Sequence, residues 1–514
     1  MQNNHHVNHA MAQTILKRAE LAPATTALTF EGQSQTFGAL AERILRTATA
    51  LRNAGVSRGD RVGFIGHNHP TFLEILYACS CIGAIFVPLN FRLTSPEVRF
   101  IANDAGVKIM FADAACRPLI DAERDALHCR DFIATQGSQT GWQELDAWIG
   151  DAEPLGFCEH LNADDVALIM YTSGTTGLPK GAMLTHGNVF WNALNVAFMG
   201  VRMKGATLTC APLFHIGGLN VTTHVSLSLG VGVILHKSFE AGDVLSDIEK
   251  YRVSTMFGAP TMFLMMSQHE NFDKADLSSI ISFNVGAAPV PLSLLETYQK
   301  RGIALEQGYG LTETSPYVSV LASEHALERT GSAGQNLTFT SVRIVDEDNQ
   351  PVAAGERGEV CIKGPNVMQG YWNRPEATAQ AIDELGWFHS GDIGYLDEDG
   401  FLFICDRLKD MIITGGENVY PAEVESALYD HDDINEVAIF GLPDEKWGEV
   451  VVAAVVMNEG KSLELAELRS FAAQSLAKYK IPTVVHFFDE LPRNPAGKVQ
   501  KFILRDELIG ASKN

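Results

Sequence analysis

Short apolar runs that alternate with amphipathic stretches constrain the fold of this 514-residue chain more than any other feature of its sequence. Residues 61–66 form an apolar run, an amphipathic stretch follows at 70–81, and residues 84–89 are apolar again. This alternation predicts an α/β fold with mainly parallel strands. Runs this apolar predict strands that are covered on both faces. The pattern recurs at 109–112, 167–171, 232–235, 255–258 and 281–285.

The domain organisation follows from length and from a change of pattern. A chain this long exceeds what one hydrophobic core supports, so we expect at least two domains. We predict a disordered tail at 1–13 and a large N-terminal domain of stacked mixed and parallel sheets with helices at 14–408. Within it, residues 335–405 form a β-rich, barrel-like subdomain. A small, mobile α+β domain follows at 409–514, with Lys409 at the hinge.

Composition excludes several classes of function. The formal net charge is −23, and an acidic protein repels nucleic acid and anionic lipid on average. No apolar run reaches the ~20 residues of a membrane span, and the polar N-terminus does not read as a secretory signal. The eight cysteines are scattered without a CxxC pair, which argues against a disulfide framework or a zinc site. We therefore expect a cytoplasmic protein.

The strongest chemical signal is a loop that follows the apolar run 166–170. It reads Tyr171-Thr172-Ser173-Gly174-Thr175-Thr176-Gly177-Leu178-Pro179-Lys180-Gly181. Its glycines allow backbone N–H groups to approach phosphate oxygens, its hydroxyls add donors, and Lys180 adds a positive charge. The loop is not a Walker A motif, because Pro179 precedes the lysine and Gly181 stands where a hydroxyl would bind magnesium. This order of residues favours a polyphosphate site over a flexible surface loop.

Three further motifs are weak when taken singly. In the segment 307–313, glycines flank a tyrosine that can stack on a base, and the final Thr312 and Glu313 offer oxygens to phosphate and Mg²⁺. Asp392 can accept ribose hydroxyls, and Arg407 can reach ribose or phosphate. Lys498 stands at the tip of the loop 492–498. Alone, each is more often a surface turn, an ion pair or a solvated lysine.

In this order and spacing, the four motifs resemble the adenylate-forming superfamily of acyl-CoA synthetases, adenylation domains and luciferases, over about residues 15–508. The chain is most similar to bacterial fatty-acyl, feruloyl and 4-coumarate type CoA ligases. The resemblance implies an acid–thiol ligase that uses ATP, Mg²⁺ and coenzyme A. The carboxylate would attack the α-phosphate to give an acyl-adenylate, and the small domain would then swing so that the CoA thiolate takes the acyl group.

The resemblance also implies the site residues. Lys498 would bridge the carboxylate and the α-phosphate as negative charge builds. The implied catalytic residues are Lys498, Thr312, Glu313 and His215, with Glu313 as the magnesium ligand. The implied nucleotide-binding residues are Thr172, Ser173, Gly174, Thr175, Thr176, Gly177, Lys180, Ala287, Ala288, Gly308, Tyr309, Gly310, Asp392 and Arg407. The implied coenzyme A contacts are Gly415, Gly416, Trp447, Lys478 and Lys480.

The acyl pocket is the least specified part of the site. His215 stands where amino-acid-activating domains usually carry an aspartate, and without a carboxylate there an ammonium substrate would lack a partner. The expected pocket residues are His215, Phe257, Asn284, Gly286, Gly310 and Ser315. Their apolar surroundings suit an aryl or an alkyl acid and do not say which.

Alternative functions stay open from the sequence. An amine or a carrier protein can accept the acyl group instead of coenzyme A, and a luciferase-type oxygenase shares the motifs. A non-catalytic nucleotide-binding module is disfavoured because Lys498 and Glu313 are both present. The expected partners are a small carboxylic acid and, as one assembly, a second copy of the chain in a homodimer.

Overall fold

The computed structural model describes residues 7–172, 179–199, 205–288, 290–407, 410–414, 417–444, 447–474, 476–493 and 499–511. The chain divides into two compact units. The large unit comprises residues 1–342 and 362–389, and the small unit comprises residues 343–361 and 390–514.

Local sequence signals define the helices of the large unit. The Thr36 hydroxyl accepts from the backbone N–H of Ala39 where α2 (Phe37–Asn53) begins, and Gly83 ends α3 (Pro70–Ile82) in the left-handed region with φ 68°. Helix α3 is mostly apolar and almost wholly buried, as expected for a helix inside a core, and its one charged residue, Glu74, pairs with Arg43. The helices are α1 (Ala12–Leu21), α2 (Phe37–Asn53), α3 (Pro70–Ile82), α4 (Ser95–Ala105), α5 (Arg117–Asp121), α6 (Leu145–Ile149), α7 (His186–Phe198), α8 (His224–Leu229), α9 (Ala241–Tyr251), α10 (Pro260–Gln268), α11 (Leu292–Lys300) and α12 (Pro375–Ala381).

One sheet of the large unit carries the ends of several parallel strands to a common edge. Its strands are β1 (Thr26–Phe30), β2 (Gln33–Thr36), β10 (Ala206–Thr209), β11 (Val233–Leu235), β12 (Val253–Gly258), β13 (Ser282–Val285), β14 (Leu305–Gly310), β15 (Tyr317–Leu321) and β16 (Ser332–Asn336). Their order is β16-β15-β14-β13-β12-β10-β11-β1-β2. Strands β10 to β14 are parallel, whereas β15 runs antiparallel to β14.

The second sheet of the large unit contains the first apolar runs of the sequence. Its strands are β3 (Arg61–Ile65), β4 (Ile85–Leu89), β5 (Val107–Ala112), β6 (Asp131–Ala134), β7 (Gln143–Glu144), β8 (Val166–Thr172), β9 (Lys180–Thr185) and β19 (Gly370–Tyr371). Their order is β19-β9-β8-β4-β3-β5-β6-β7. Strands β8 and β9 form an antiparallel pair joined by the loop that the sequence assigns to phosphate. The late strand β19 extends this sheet by pairing with β9.

The small unit combines β-rich and α+β segments. Its strands are β17 (Ser341–Val345), β18 (Gly358–Lys363), β20 (Phe388–Leu396), β21 (Leu402–Arg407), β22 (Ile412–Thr414), β23 (Glu417–Val419), β24 (Ile434–Asp444), β25 (Gly448–Met457) and β26 (Val484–Phe487). Its helices are α13 (Pro421–Tyr429), α14 (Leu465–Ala472) and α15 (Lys501–Ala511). The strands form one group in the order β17-β18-β20-β21 and a second in the order β23-β22-β25-β24, with β26 beside β25. The predicted α/β architecture with a large N-terminal and a small C-terminal part is confirmed.

Two features differ from the sequence expectations. Residues 8–13, expected in a disordered tail, are anchored: Asn8 donates to the carbonyl of Glu159, and Met11 is 4% exposed. The strands around 343–361 and 390–407 group with the C-terminal residues, because Arg357 lies 4.5 Å from the Tyr420 ring and 3.8 Å from Glu423. The hinge at Lys409 lies outside the described residues and stays a prediction.

Membrane-spanning potential can be judged for the described helices. None of them combines the length and the apolar character that crossing a bilayer requires.

Candidate active site

The carboxyl ends of β12, β13 and β14 meet at one edge of the first sheet. Phe257 lies opposite Asn284, and Val285 lies opposite Gln307. The residues that follow each strand therefore converge, and ligands of α/β sheets bind outside such strand ends. We call this region, built from Phe257, Gly286, Gly308 and Gly310, the glycine edge.

Steric contacts explain the glycines at this edge. A Cβ atom at Gly308 would lie 2.2 Å from the Tyr317 ring, and one at Gly310 would lie 1.8 Å from the carbonyl oxygen of Pro316. No side chain fits at either position. Tyr309 stands between them and is half-buried, and side chains alternate between the faces of a strand. The two glycines therefore let β14 approach β15 while the Tyr309 ring projects from the other face.

Beside this edge, the Phe257 ring packs against the backbone of two glycines and forms a wall of the site. A Cβ atom at Gly217 would lie 2.7 Å from the Phe257 ring, and one at Gly286 would lie 3.2 Å from it. The Phe257 ring thus spans from one glycine to the other. Ala287 and Ala288 follow Gly286 with exposed side chains, and Ala287 adopts a left-handed φ of 73°.

Asn284 and Ser315 are buried rather than open to a ligand. The Asn284 amide donates to the Thr255 hydroxyl at 3.1 Å and accepts from the Tyr317 hydroxyl at 3.3 Å. Asn284 therefore fixes the Tyr317 ring that lies on Gly308. Ser315 is fully buried with φ 71°, so its backbone shapes the turn after Glu313.

A buried asparagine holds the loop that carries His215. Asn68 donates to the carbonyls of Ala211 and His236, at 3.0 and 3.1 Å. Its side-chain oxygen accepts from the N–H of Leu213 at 2.8 Å. Two of these bonds hold the loop before His215, and the third ties it to the residue that follows β11, so the loop is fixed.

His215 directly follows the loop that Asn68 holds in the large unit. Its side chain is solvent-accessible, yet burial among protein atoms lowers its pKa, and the positive charge of Arg92 lowers the pKa further. Phe91 packs edge-on against Phe214 with ring centroids 5.2 Å apart. The imidazole is therefore neutral at neutral pH, in aromatic surroundings.

Glu313 is the carboxylate at the centre of the polar part of the site. It is 8% exposed, and its Oε1 accepts from the Tyr371 hydroxyl at 2.9 Å and from the Thr172 hydroxyl at 3.4 Å. Thr172 is the last residue of β8, and Lys180 begins β9 with its Nζ 5.3 Å from the centre of the Tyr371 ring. The ends of the phosphate-loop hairpin and Glu313 thus lie together. Residues 173–177 lie outside the described residues.

In the small unit, Asp392 and Arg407 are cross-strand partners. They lie opposite each other on β20 and β21. Asp392 is 3% exposed, and its N–H donates to the Ser390 hydroxyl. The structure therefore pairs two residues that the sequence assigned to one ribose.

The predicted coenzyme A contacts differ from one another. Trp447 is 49% exposed, and its backbone N–H donates to the Asp444 carboxylate. Lys478 is exposed, whereas Lys480 pairs with Glu423 at 2.5 Å. Gly415, Gly416, Lys409 and Lys498 lie outside the described residues.

Comparison with known proteins identifies the family. The profile of the AMP-binding enzymes matches residues 15–372, and that of the AMP-binding enzyme C-terminal domain matches residues 423–498. This protein is an AMP-binding enzyme. It is 44% identical to a feruloyl-CoA synthase of Amycolatopsis sp, over 96% of this chain and 98% of that relative. It is 40% identical to an indoleacetate–CoA ligase of Aromatoleum aromaticum, over 96% of each chain.

Solved structures add ligands to the comparison. The o-succinylbenzoate CoA synthetase of Bacillus subtilis in complex with ATP and magnesium is 34% identical, with a TM-score of 0.86 over 96% of this chain and 99% of that one. The same enzyme has been solved with the acyl-adenylate intermediate OSB-AMP. These relatives confirm the predicted superfamily, the acid–thiol ligase reaction that makes CoA thioesters through an adenylate, and the use of ATP, Mg²⁺ and coenzyme A.

The residues of this AMP-binding enzyme fit its metal. Mg²⁺ prefers oxygen ligands from one or two carboxylates together with phosphates and water. Glu313 offers such a carboxylate, oriented by two hydroxyl donors. Its position beside the start of the phosphate loop agrees with a bound MgATP.

Sequence reasoning missed the residues that position Glu313, the strand before the phosphate loop and the His215 loop. Tyr371 touches Glu313, Asp104 binds the strand that ends at Thr172, and Asn68 fixes the His215 loop. The run Tyr371-Trp372-Asn373-Arg374 combines aromatic rings with an arginine and was the one available signal. Asp104 and Asn68 have no signal of their own, because their partners are distant in sequence.

Proposed function

We propose that this AMP-binding enzyme makes the coenzyme A thioester of an aromatic carboxylic acid. The observation that carries the proposal is the wall of the glycine edge, where the Phe257 ring spans Gly217 and Gly286. Aromatic rings gain most from ring contacts in such a setting. The feruloyl and indoleacetate relatives act on aromatic acids, which supports the same substrate class here.

In the first step, a carboxylate oxygen of the substrate forms a bond to the α-phosphorus of ATP, and the bond to pyrophosphate breaks. Lys180 and the loop 172–177 hold the outgoing phosphates, and Thr312 serves the phosphate. Bound Mg²⁺ neutralises phosphate charge, and Glu313 would hold it. Lys498 supplies positive charge where negative charge builds, an assignment that rests on its sequence pattern.

The adenosine is assigned to two sets of residues. Ala287, Ala288 and Tyr309 provide small side chains and a ring for adenine. Asp392 and Arg407 serve the ribose, and their cross-strand pairing supports a joint role.

In the second step, the thiolate of coenzyme A forms a bond to the acyl carbon, and AMP leaves with the oxygen that joined it to the acyl group. We assign coenzyme A contacts to Trp447 and Lys478, whose side chains are exposed, and to Gly415 and Gly416. Lys480 contributes through its position beside Glu423. We assign the neutral His215 to the acyl pocket, which it would gate between the steps.

The test is pyrophosphate release with ATP and Mg²⁺, measured with and without coenzyme A. The acids are a hydroxycinnamate, indole-3-acetate, a substituted benzoate, a medium-chain fatty acid and a long-chain fatty acid. We expect the aromatic acids to give the highest kcat/KM and a CoA thioester detected by mass. A preference for fatty acids would refute the substrate class. Pyrophosphate release without consumption of coenzyme A would indicate that the acyl group is passed to an amine or a carrier protein instead.

Three wider assignments belong to the same proposal. The eight cysteines are free, which supports a reducing cytoplasm, where ATP and coenzyme A are also found. Movement of the small domain about Lys409 between the two steps is proposed from the sequence pattern.

A homodimer is proposed as the assembly, because exposed aromatic side chains such as Phe190 and Phe198 on α7 favour self-association. Light scattering of the purified chain measures that assembly.

A further inference from the structure

The carboxylate of Asp104, at the end of α4, joins two segments that are far apart in sequence. One of its oxygens accepts from the Tyr171 hydroxyl at 2.7 Å, and the other pairs with Arg374 at 2.7 Å. Its backbone carbonyl accepts from the indole N–H of Trp372 at 3.1 Å. The Asp104 side chain is 13% exposed, so these bonds form in a setting where they are strong.

In each segment, a residue next to one bound by Asp104 donates a hydrogen bond to Glu313. Tyr171 precedes Thr172, whose hydroxyl is 3.4 Å from Glu313, and Trp372 and Arg374 follow Tyr371, whose hydroxyl is 2.9 Å from the same oxygen. Each donor to Glu313 is thus within three residues of a group bound to Asp104. Asp104 is remote in sequence from all of them.

Further contacts tie the second segment to the phosphate-loop hairpin. The N–H of Trp372 donates to the carbonyl of Gly181 at 2.8 Å, and the Arg61 guanidinium lies 5.4 Å from the centre of the Trp372 ring. Tyr371 pairs with Ala182 across β19 and β9. The segment 371–374 therefore cannot shift without moving the start of β9.

We propose that Asp104 is a positioning residue for MgATP. Through Tyr171 and Arg374, it fixes Thr172 and Tyr371 relative to Glu313. We call Asp104, Tyr171 and Arg374 the Asp104 anchor. The inference rests on the proposed role of Glu313. Burial and the neighbouring Asp104 raise the pKa of the Tyr171 hydroxyl, so the phenol stays protonated and keeps donating.

The Asp104 anchor predicts an effect on one substrate and not on the other. In full-length Asp104→Asn, we expect the KM for MgATP to rise about tenfold, since a hydrogen bond to a charged group is lost. The KM for the acid should stay within about twofold of the parental value, because the glycine edge does not contact the anchor. Tyr171→Phe removes only a hydroxyl and should shift the KM for MgATP in the same direction.

Asp121 offers a matched control. Its carboxylate also joins a tryptophan and an arginine, accepting from Trp142 at 3.0 Å and from Arg124 at 3.1 Å. Asp121→Asn should lower the melting temperature as much as Asp104→Asn does and leave both KM values unchanged. Tyr371→Phe combined with Asp104→Asn should raise the KM for MgATP by less than the product of the single effects, because both act on Glu313.

Two results would overturn the proposal. One is a parental KM for MgATP in both Asp104→Asn and Tyr171→Phe. The other is an equal rise in both KM values, which would show general loosening. Glu313→Gln separates this inference from the proposed function. Parental activity in that variant would refute the role of Glu313, whereas an inactive Glu313→Gln beside a parental Asp104→Asn would refute the anchor alone.

Discussion

The glycine edge and the Asp104 anchor position the same reaction by different physics. At the glycine edge, the shape of the site follows from excluded volume: a side chain at Gly310 would overlap the Pro316 carbonyl. At the anchor, the shape follows from hydrogen bonds and an ion pair that converge on two carboxylates, Asp104 and Glu313. Steric positioning fails abruptly when an atom is added, whereas polar positioning weakens bond by bond.

The largest effect is expected where an atom is added to the glycine edge. Gly310→Ala would place a Cβ atom 1.8 Å from a backbone oxygen that cannot rotate away. We expect destabilisation by about 3 kcal/mol or more, measured by urea unfolding. In Gly156→Ala, the control, the added Cβ has no atom within 4 Å. An unchanged unfolding midpoint in Gly310→Ala would contradict the steric account.

Removing the central charge of the polar region should affect catalysis and not folding. Glu313→Gln keeps the size of the side chain and its acceptor oxygen but removes the charge. We expect kcat for pyrophosphate release to fall about 10²–10³-fold, the range for losing one electrostatic group of an active site. The control is Glu324→Gln, which makes the same change at an exposed position. A Mg²⁺ dependence equal to that of the parent would contradict the metal assignment.

Acid should destabilise the large unit through two buried histidines. Burial lowers the pKa of His186 and of His224 to about 4. Below the ordinary pKa of about 6.5, the unfolded chain takes up protons that the folded chain does not. Stability present at pH 7 is therefore lost as the pH falls, by about 2 kcal/mol for each histidine at pH 5.

The measurement is the free energy of unfolding between pH 7 and pH 5. His224→Gln should flatten its pH dependence by the share of one histidine. His186 lies at the start of α7, directly after β9. The pH dependence that remains in His224→Gln therefore includes the contribution of the residue next to the phosphate-loop hairpin. A slope unchanged by His224→Gln would contradict the linkage.

The smallest effect is expected for a substitution that enlarges the space at the glycine edge. Phe257→Leu removes the ring that spans Gly217 and Gly286, so we expect the KM for an aromatic acid to rise about tenfold. The KM for MgATP should not change, which is the opposite of the result expected for Asp104→Asn. If Phe257→Leu instead raised the KM for MgATP, the two regions would not be separable.

The sequence named residues of both regions as site residues but did not reveal their packing. Gly308, Tyr309 and Gly310 are contiguous, and their pattern was assigned to the nucleotide, whereas their close packing against β15 is visible only in the structure. Asn284 was expected in the acyl pocket, but its amide is committed to Thr255 and Tyr317. Its inward orientation depends on the pairing of β13, which the local pattern does not give.

Periodicity and local motifs by themselves indicated the alternation of strands and helices and the family. Local spacing encodes these because a strand, a cap or a phosphate loop uses neighbours in the chain. Only the tertiary structure decided that Asp104, Tyr171 and Arg374 meet, that Asn68 holds the His215 loop, and that Lys480 is paired. These contacts join residues far apart in sequence, and which side chains meet there depends on strand order and packing.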